Sequence, residues 1–195
     1  MTIFTDLVND VITLTSRPDL LAETQLAIRA STLKAHHSDF FPRDIVEKGI
    51  QFDNEAFLQD LRYRELFPDW RKIRYLRKYG DAQPGLFLEL VAPEDSIDYY
   101  NAVRQDVAYF AGDVLHIRSS TDDATYLVGY FRHPIAIETG YDSWIATEMP
   151  FAIVYDAAAT IFHTIGQQEK SGVFMQKVAE FYRELKINYI SETGY

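Results

Sequence analysis

The spacing of apolar residues changes twice along this chain, and that change constrains the fold more than any other feature. Before residue 44 and after residue 147, apolar side chains recur at steps of three and four, as on one face of a helix. Between 45 and 134 the pattern shifts to short runs rich in β-branched and aromatic residues, as in strands. Helical ends around a strand-rich middle predict an α+β fold. The N- and C-terminal helices are expected to form a small helical bundle, with a central antiparallel sheet or meander inserted between them. The expected parts are 1–44, the first helical part; 45–147, the β-rich insertion; 148–186, a helical hairpin completing the bundle; and 187–195, an extended arm.

Phe4, Leu7, Val8, Val11 and Leu14 share one face of a first helix, and Asp6 places negative charge in its first turn, which the helix dipole favours. Pro18 opens a second helix, expected from 18 to 38, with a stripe of Ala22, Leu26, Ala30, Leu33 and His37. In the middle, 86–91, 106–110, 114–118 and 125–131 read as strands. Ala111-Gly112-Asp113 links the second and third as a hairpin, and a polar loop at 119–123 links the third and fourth. The stretch 70–79, WRKIRYLRKY, also fits a strand. Strict alternation puts Arg71, Ile73, Tyr75 and Arg77 on one face and Trp70, Lys72, Arg74 and Leu76 on the other. Neither face is cleanly apolar, which suits an edge or an interface. Later, Phe151, Val154, Tyr155, Ala158, Phe162 and Ile165 make a helical stripe that ends at Gly166. A second helix, 167–186, carries Phe174, Val178, Phe181 and Leu185.

Charge is uneven. Formal net charge is −10, the opposite of a free-standing nucleic-acid binder. Between Arg62 and Lys78, however, seven cations face two acids, leaving −15 on the rest of the chain. In a self-associating protein such a strip can meet an acidic face of a neighbouring copy. Arg71, Lys72, Arg74, Arg77 and Lys78 are therefore expected at an intersubunit interface. The C-terminal stretch has Ile187, Tyr189, Ile190 and Tyr195 where chain ends are normally polar. It reads as a docking arm.

The search for chemistry is short. There are no cysteines, so disulfides, thiolate zinc sites and cysteine nucleophiles are excluded. No phosphate-binding, zinc-protease or serine-hydrolase motif occurs. Asp156 and His163 share a helical face, but two turns separate them by about 10 Å, too far for a carboxylate–imidazole hydrogen bond. His36 and His37 point about 100° apart around their helix and do not converge on one metal. No catalytic residue, metal or cofactor is expected. The N-terminal residues lack a basic region and a long apolar run, so neither a signal peptide nor a membrane span is expected.

The order of segments carries a resemblance. LELVAPEDSIDYY is followed by DVAYFAGDVLHIRSS, TYLVGYFRHP, the aromatic loop YDSWIATEMP and the alanine-rich hairpin FAIVYDAAATIFHTIGQQEKSGVFMQKVAEFYREL; the opening SRPDLLAETQLAIRAST belongs to the same pattern. This resembles the head-to-tail adaptor (connector) proteins of tailed bacteriophages, particularly short-tailed ones. Residues 43–80 depart most from it. The resemblance implies a structural virion protein at the head–tail junction, assembled in the host cytoplasm. It would form a homo-oligomeric ring of about twelve copies, each using different patches on its two sides. The ring would sit beneath the portal protein, give a tail tube or nozzle protein its attachment, and extend a channel through which genomic DNA passes without specific binding. The C-terminal arm would reach the portal. The alternatives are a small metal-dependent or other hydrolase, or a monomeric binding module that uses the basic strip 62–78.

Overall fold

The computed structural model describes residues 2–51, 58–79, 85–97, 102–120 and 125–193, with backbone only for Leu58 and for 189–193. The chain folds as α+β, with helices at both ends and a seven-stranded sheet between them. It forms two compact units. One comprises residues 1–43 and 133–195, the other residues 44–132. The return to the helical unit comes at His133, ahead of the expected 148, because the intervening loop carries Tyr141, Trp144 and Ile145 into the helical core.

The helical unit begins with α1 (Ile3–Thr15), capped by the Thr2 hydroxyl, which accepts from the Thr5 amide at 3.3 Å. It buries Phe4, Leu7, Val8 and Val11 as the spacing predicts, leaves Leu14 of the expected stripe 39% exposed because the helix ends one residue later, and ends at Ser16 in a left-handed conformation, φ 53°. A single turn from Pro18 leads into α2 (Leu21–His37), whose orientation overturns the expected stripe. Ala22, Leu26, Ala30, Leu33 and His37 are all exposed, Leu26 at 66%, while Thr24, Ala27, Ile28, Ser31, Thr32, Ala35 and His36 are buried. The reason is steric and polar. Small residues let α2 approach its neighbour closely, and the Ser31 and Thr32 hydroxyls find partners, whereas the Thr24 hydroxyl has none among the described residues. Thr32 donates to the Ile28 carbonyl at 2.8 Å, and Ser31 donates to a carboxylate across the interface.

In the sheet unit come β1 (Ile45–Gln51), β2 (Leu58–Arg62), the single turn α3 (Tyr63–Leu66), β3 (Trp70–Lys78), β4 (Phe87–Leu90), β5 (Val107–Ala111), β6 (Val114–Arg118) and β7 (Thr125–Arg132). The spatial order is β1-β7-β3-β4-β5-β6-β2. β5 and β6 form the expected hairpin, with Gly112 at φ 62° in its two-residue turn. The meander stops there. β6 pairs next with β2, and β7 instead lies between β1 and β3. A strand such as β7, buried on both faces over Val128–Phe131, needs partners on both sides. Among the described residues β4 and β5 run parallel, the exception in an otherwise antiparallel sheet. The core gathers Tyr126, Val128 and Tyr130 of β7 with Leu76, Leu88, Leu115 and Ile117; Trp70 lies nearly parallel to Tyr130 at 5.1 Å.

The helical unit closes with α4 (Trp144–Glu148), α5 (Pro150–Thr164) and α6 (Gln168–Thr193). α5 packs against α1, α2, α4 and α6. It is accordingly buried on almost every side, at Ala152, Ile153, Val154, Asp156, Ala157, Ala158, Ala159, Ile161 and Phe162, while Phe151 of the expected stripe, in the first turn, is 48% exposed. Gly166, at φ 77°, ends it. The Gln167 amide donates to the Phe162 carbonyl at 2.8 Å and the Gly166 amide to the His163 carbonyl at 3.0 Å, the paired bonds of a Schellman motif. α6 then runs back antiparallel, stacking Phe174 on Phe162 at 5.3 Å and setting Phe181 5.7 Å from Tyr155. The arm expected to be extended from 187 is helical through Thr193. Adding residues to an existing helix avoids the cost of nucleation, and no glycine or proline intervenes before Gly194. A helix of 26 residues is about 39 Å long, so α6 outruns the 15-residue α5.

Candidate assembly surfaces

The polar groups of the helical unit serve packing. Asp156 on α5 is 4% exposed, accepts from the Ser31 hydroxyl at 2.8 Å and forms an ion pair with Lys34, both on α2. From α6, Tyr182 places its ring 5.9 Å from the Lys34 ammonium, and its hydroxyl is buried with no hydrogen-bond partner among the described residues. Burial, and then the Asp156 charge, raise its phenol well above the ordinary tyrosine range. Asp156 thus ties α2 to α5 beside α6. His163 lies elsewhere, exposed, 2.9 Å from the Gln168 side chain, so the two do not meet.

The remaining histidines are spread over separate contacts. His36, rather than His37, is the buried one, 2.9 Å from the Ser143 hydroxyl and edge-on to Trp144. His37 reaches His133 at 2.9 Å on the surface. His116 sits in the middle of a row across three strands, with Tyr109 of β5 stacked on it at 5.0 Å and Asp60 of β2 2.6 Å from its Nδ1. Among the described residues no group of three His, Cys, Asp or Glu side chains is placed to hold a metal ion.

The basic strip comes apart in the fold. β3 lies inside the sheet, between β7 and β4, and not at an edge. Its register against β7 slips between Trp70 and Lys72 and again between Ile73 and Tyr75, so Arg71 and Arg74 are bulge residues. Each bulge shifts the alternation by one, which is why the strict two-face reading fails. Arg71 is largely buried and pairs with Asp44 at 3.7 Å within the same unit. Lys78 is buried at the position opposite Tyr126. Both are thereby withdrawn from the proposed interface. Lys72 and Arg74 are exposed, and Arg77 is half-buried. Of the flanking cations, Arg62 pairs with Glu65 at 3.3 Å and Arg64 with Asp113 at 3.1 Å, both solvent-facing.

What the strand does present is aromatic. Tyr75 lies across Gly129, whose added Cβ would fall 2.4 Å from the Tyr75 ring, and its hydroxyl reaches Glu47 on β1. Glu47, Gly129 and Tyr75 are register partners across three strands, so the glycine is what lets the ring cross β7. Phe87 of β4 stands edge-on to Tyr75 at 5.6 Å and is 59% exposed.

Two further surfaces complete the inventory. The outward side of α2 shows Leu26 and Leu33 in line with Ala22 and Ala30. At the far end of α6, Ile187 is 54% exposed. The side chains of Tyr189 and Ile190, and all of Tyr195, lie outside the described residues. Sequence reasoning missed the α2 surface although a signal was present: Thr24, Ala27, Ile28, Ser31, Thr32 and Ala35 form an equally regular stripe of small residues. None of the helices, among the described residues, is long and apolar enough to cross a membrane. No protein-family model matches the chain, and no curated protein matches it significantly.

Proposed function

We propose that this chain is a ring-forming structural protein of the virion, an adaptor that joins the capsid portal to the tail and extends the DNA channel. It is not an enzyme in this reading. The observation that carries it is the set of unlike apolar and charged patches left exposed on one chain: the outward leucines of α2, the basic and aromatic β3–β4 face, and the overhanging end of α6. A subunit in a closed ring needs different surfaces on its two sides and others for what lies above and below. The segment order that resembles head-to-tail adaptors supports the same reading. The portal-docking element is then the end of α6 from Ile187 onward, presented as a helix. The exposed cations Lys72 and Arg74, with Arg77, contribute to the contact between copies. A net charge of −10 suits a channel through which DNA slides without adhering.

Electron microscopy of the purified chain mixed with portal particles tests this. Rings of density beneath the portal are the expected result, lost when residues 187–195 are deleted. Bare portals, with a monomeric chain that shows reproducible turnover dependent on His116, would favour the hydrolase instead.

A further inference from the structure

The β3–β4 face has a half-met demand. Arg77 is the register partner of Phe87, and its guanidinium lies 5.7 Å over the ring of Tyr79, which is 57% exposed. Its Nε is buried with no hydrogen-bond partner among the described residues. A buried guanidinium N–H without an acceptor is costly, and exposed tyrosine, phenylalanine and arginine together are the composition of an interface centre.

Past the other end of β4 the same unit carries a patch of opposite character. Pro93–Ser96 form a tight turn that leaves Glu94 and Asp95 exposed, followed by Ile97, bridged to Val103; these two are 49% and 59% exposed. The turn is held from behind. Arg104 donates to the Asp95 carbonyl at 3.2 Å through its side chain and to the Ser96 carbonyl at 3.0 Å through its amide. Neither the Glu94 nor the Asp95 carboxylate has an ion-pair partner among the described residues.

We propose that these two patches are the halves of one head-to-tail contact. The acidic and apolar turn of one copy seats on the basic and aromatic face of the next, its carboxylates against Arg77 and its Ile97 and Val103 against Phe87 and Tyr79. This rests on the ring reading above and names the surfaces that close it. Charge complementarity selects a second copy as the occupant. The face presents the Arg77 guanidinium among aromatic rings on a chain of net charge −10, and the turn offers the acids and the apolar side chains that this group and its neighbours need. Because the halves differ, the contact propagates from copy to copy, as a ring requires.

Sedimentation velocity of the full chain tests this with two variants. One blunts the face (Arg77→Gln with Phe87→Ser), the other the turn (Asp95→Asn with Ile97→Ser). Both change exposed or half-buried side chains, and an unchanged unfolding midpoint verifies the fold. Each variant alone is expected to lose about tenfold or more in association constant. Mixed, they should form dimers and no larger species, since one intact face and one intact turn remain. Assembly of either variant like the wild type, or a wild-type chain that stays monomeric, overturns the contact. So does a labelled single-stranded oligonucleotide that binds the wild type and is released by the face variant while assembly is unchanged. Both variants forming normal rings on portals would sink this contact and leave the adaptor reading standing. Loss of self-association in the variants, with portals left bare by the wild type, would do the reverse.

Discussion

In the helical unit the most apolar side of one helix faces water, whereas in the sheet unit a cation-rich strand runs through the middle. α2 turns Leu26 and Leu33 outward and packs through Thr24, Ser31, Thr32 and His36. β3 holds five cations yet sits between two partner strands, burying Lys78 and pairing Arg71 with Asp44. Both depart from the rule that apolar residues go inside, by different routes. The helix trades side-chain volume for close approach, with the Ser31 and Thr32 hydroxyls bonded inside. The strand uses bulges to steer individual residues. What is left outside in each case, leucines in one and aromatics with arginine in the other, is surface available for association.

The largest test of this contrast lies in the hairpin of α5 and α6. Phe162 is 3% exposed and stacks on Phe174, while Phe181 is only partly buried. Phe162→Ala should cost about 3–5 kcal/mol in urea unfolding, and Phe181→Ala clearly less. Equal costs would mean that α6 packs more deeply than described.

Much of this was legible beforehand, and the failures have physical causes. The stripe of α1 from Phe4 to Val11, the stop at Gly166 and the heptad-like positions Phe174, Val178, Phe181 and Leu185 follow from spacing, because one face is mainly apolar. For α2 two regular stripes compete, and hydrophobicity favours the wrong one. Only the alanine-rich surface of α5, brought alongside in three dimensions, selects the small residues. For β3 the bulges depend on pairing with β7, a partner some fifty residues away in sequence whose position between β1 and β3 spacing does not reveal. The aromatic face was hidden for the same reason: Phe87 reaches Tyr75 only because β4 pairs with β3. The helical run of α6 to Thr193 was missed because a short apolar–polar alternation reads as extended.

The second test concerns the polar tie. Asp156→Ala removes the acceptor for Ser31 and the partner of Lys34, and should cost about 2–3 kcal/mol, since Lys34 is half-exposed and rehydrates. Asp156→Ala combined with Lys34→Ala should cost less than the sum of the two single changes. Strict additivity would show that the pair does not couple α2 to α5.

In the sheet unit the matching test is Gly129→Ala. A Cβ placed 2.4 Å from the Tyr75 ring forces the ring to move and should cost about 1–3 kcal/mol. Tyr75→Ser should make the alanine tolerable, so that the double variant is more stable than the two costs combined predict. If Gly129→Ala is neutral in the wild-type background, the ring does not lie across β7.

Tyr182→Phe separates packing from ionisation. At neutral pH the change should stay within about 0.5 kcal/mol, because a buried hydroxyl without a partner contributes little. Its folded-state pKa is raised, so above the ordinary tyrosine value the unfolded chain releases a proton that the folded chain retains. Stability from this group is therefore full below about pH 10 and lost as pH rises beyond it. The phenylalanine variant should lose less stability than the wild type in that alkaline range. Parallel declines would show that the phenol is hydrated in the folded protein.

The smallest expected effect on stability is the most informative about use. Leu26→Ser with Leu33→Ser changes two side chains that the folded unit leaves 66% and 37% exposed. The unfolding midpoint should move by no more than about 0.5 kcal/mol, whereas Ile28→Ala, on the opposite side of the same helix, should cost about 2–4 kcal/mol. That contrast verifies the orientation of α2 from stability alone. The serine variant then asks why leucine stands there. Exposed leucines on a helix already anchored through its other face add nothing to the fold, and they favour unwanted association. If they meet a neighbour in an assembled ring, the serine variant should fold normally and assemble more weakly by light scattering at matched concentration. If the variant unfolds markedly more easily, the apolar stripe is part of the core after all, and the contrast between the two units disappears.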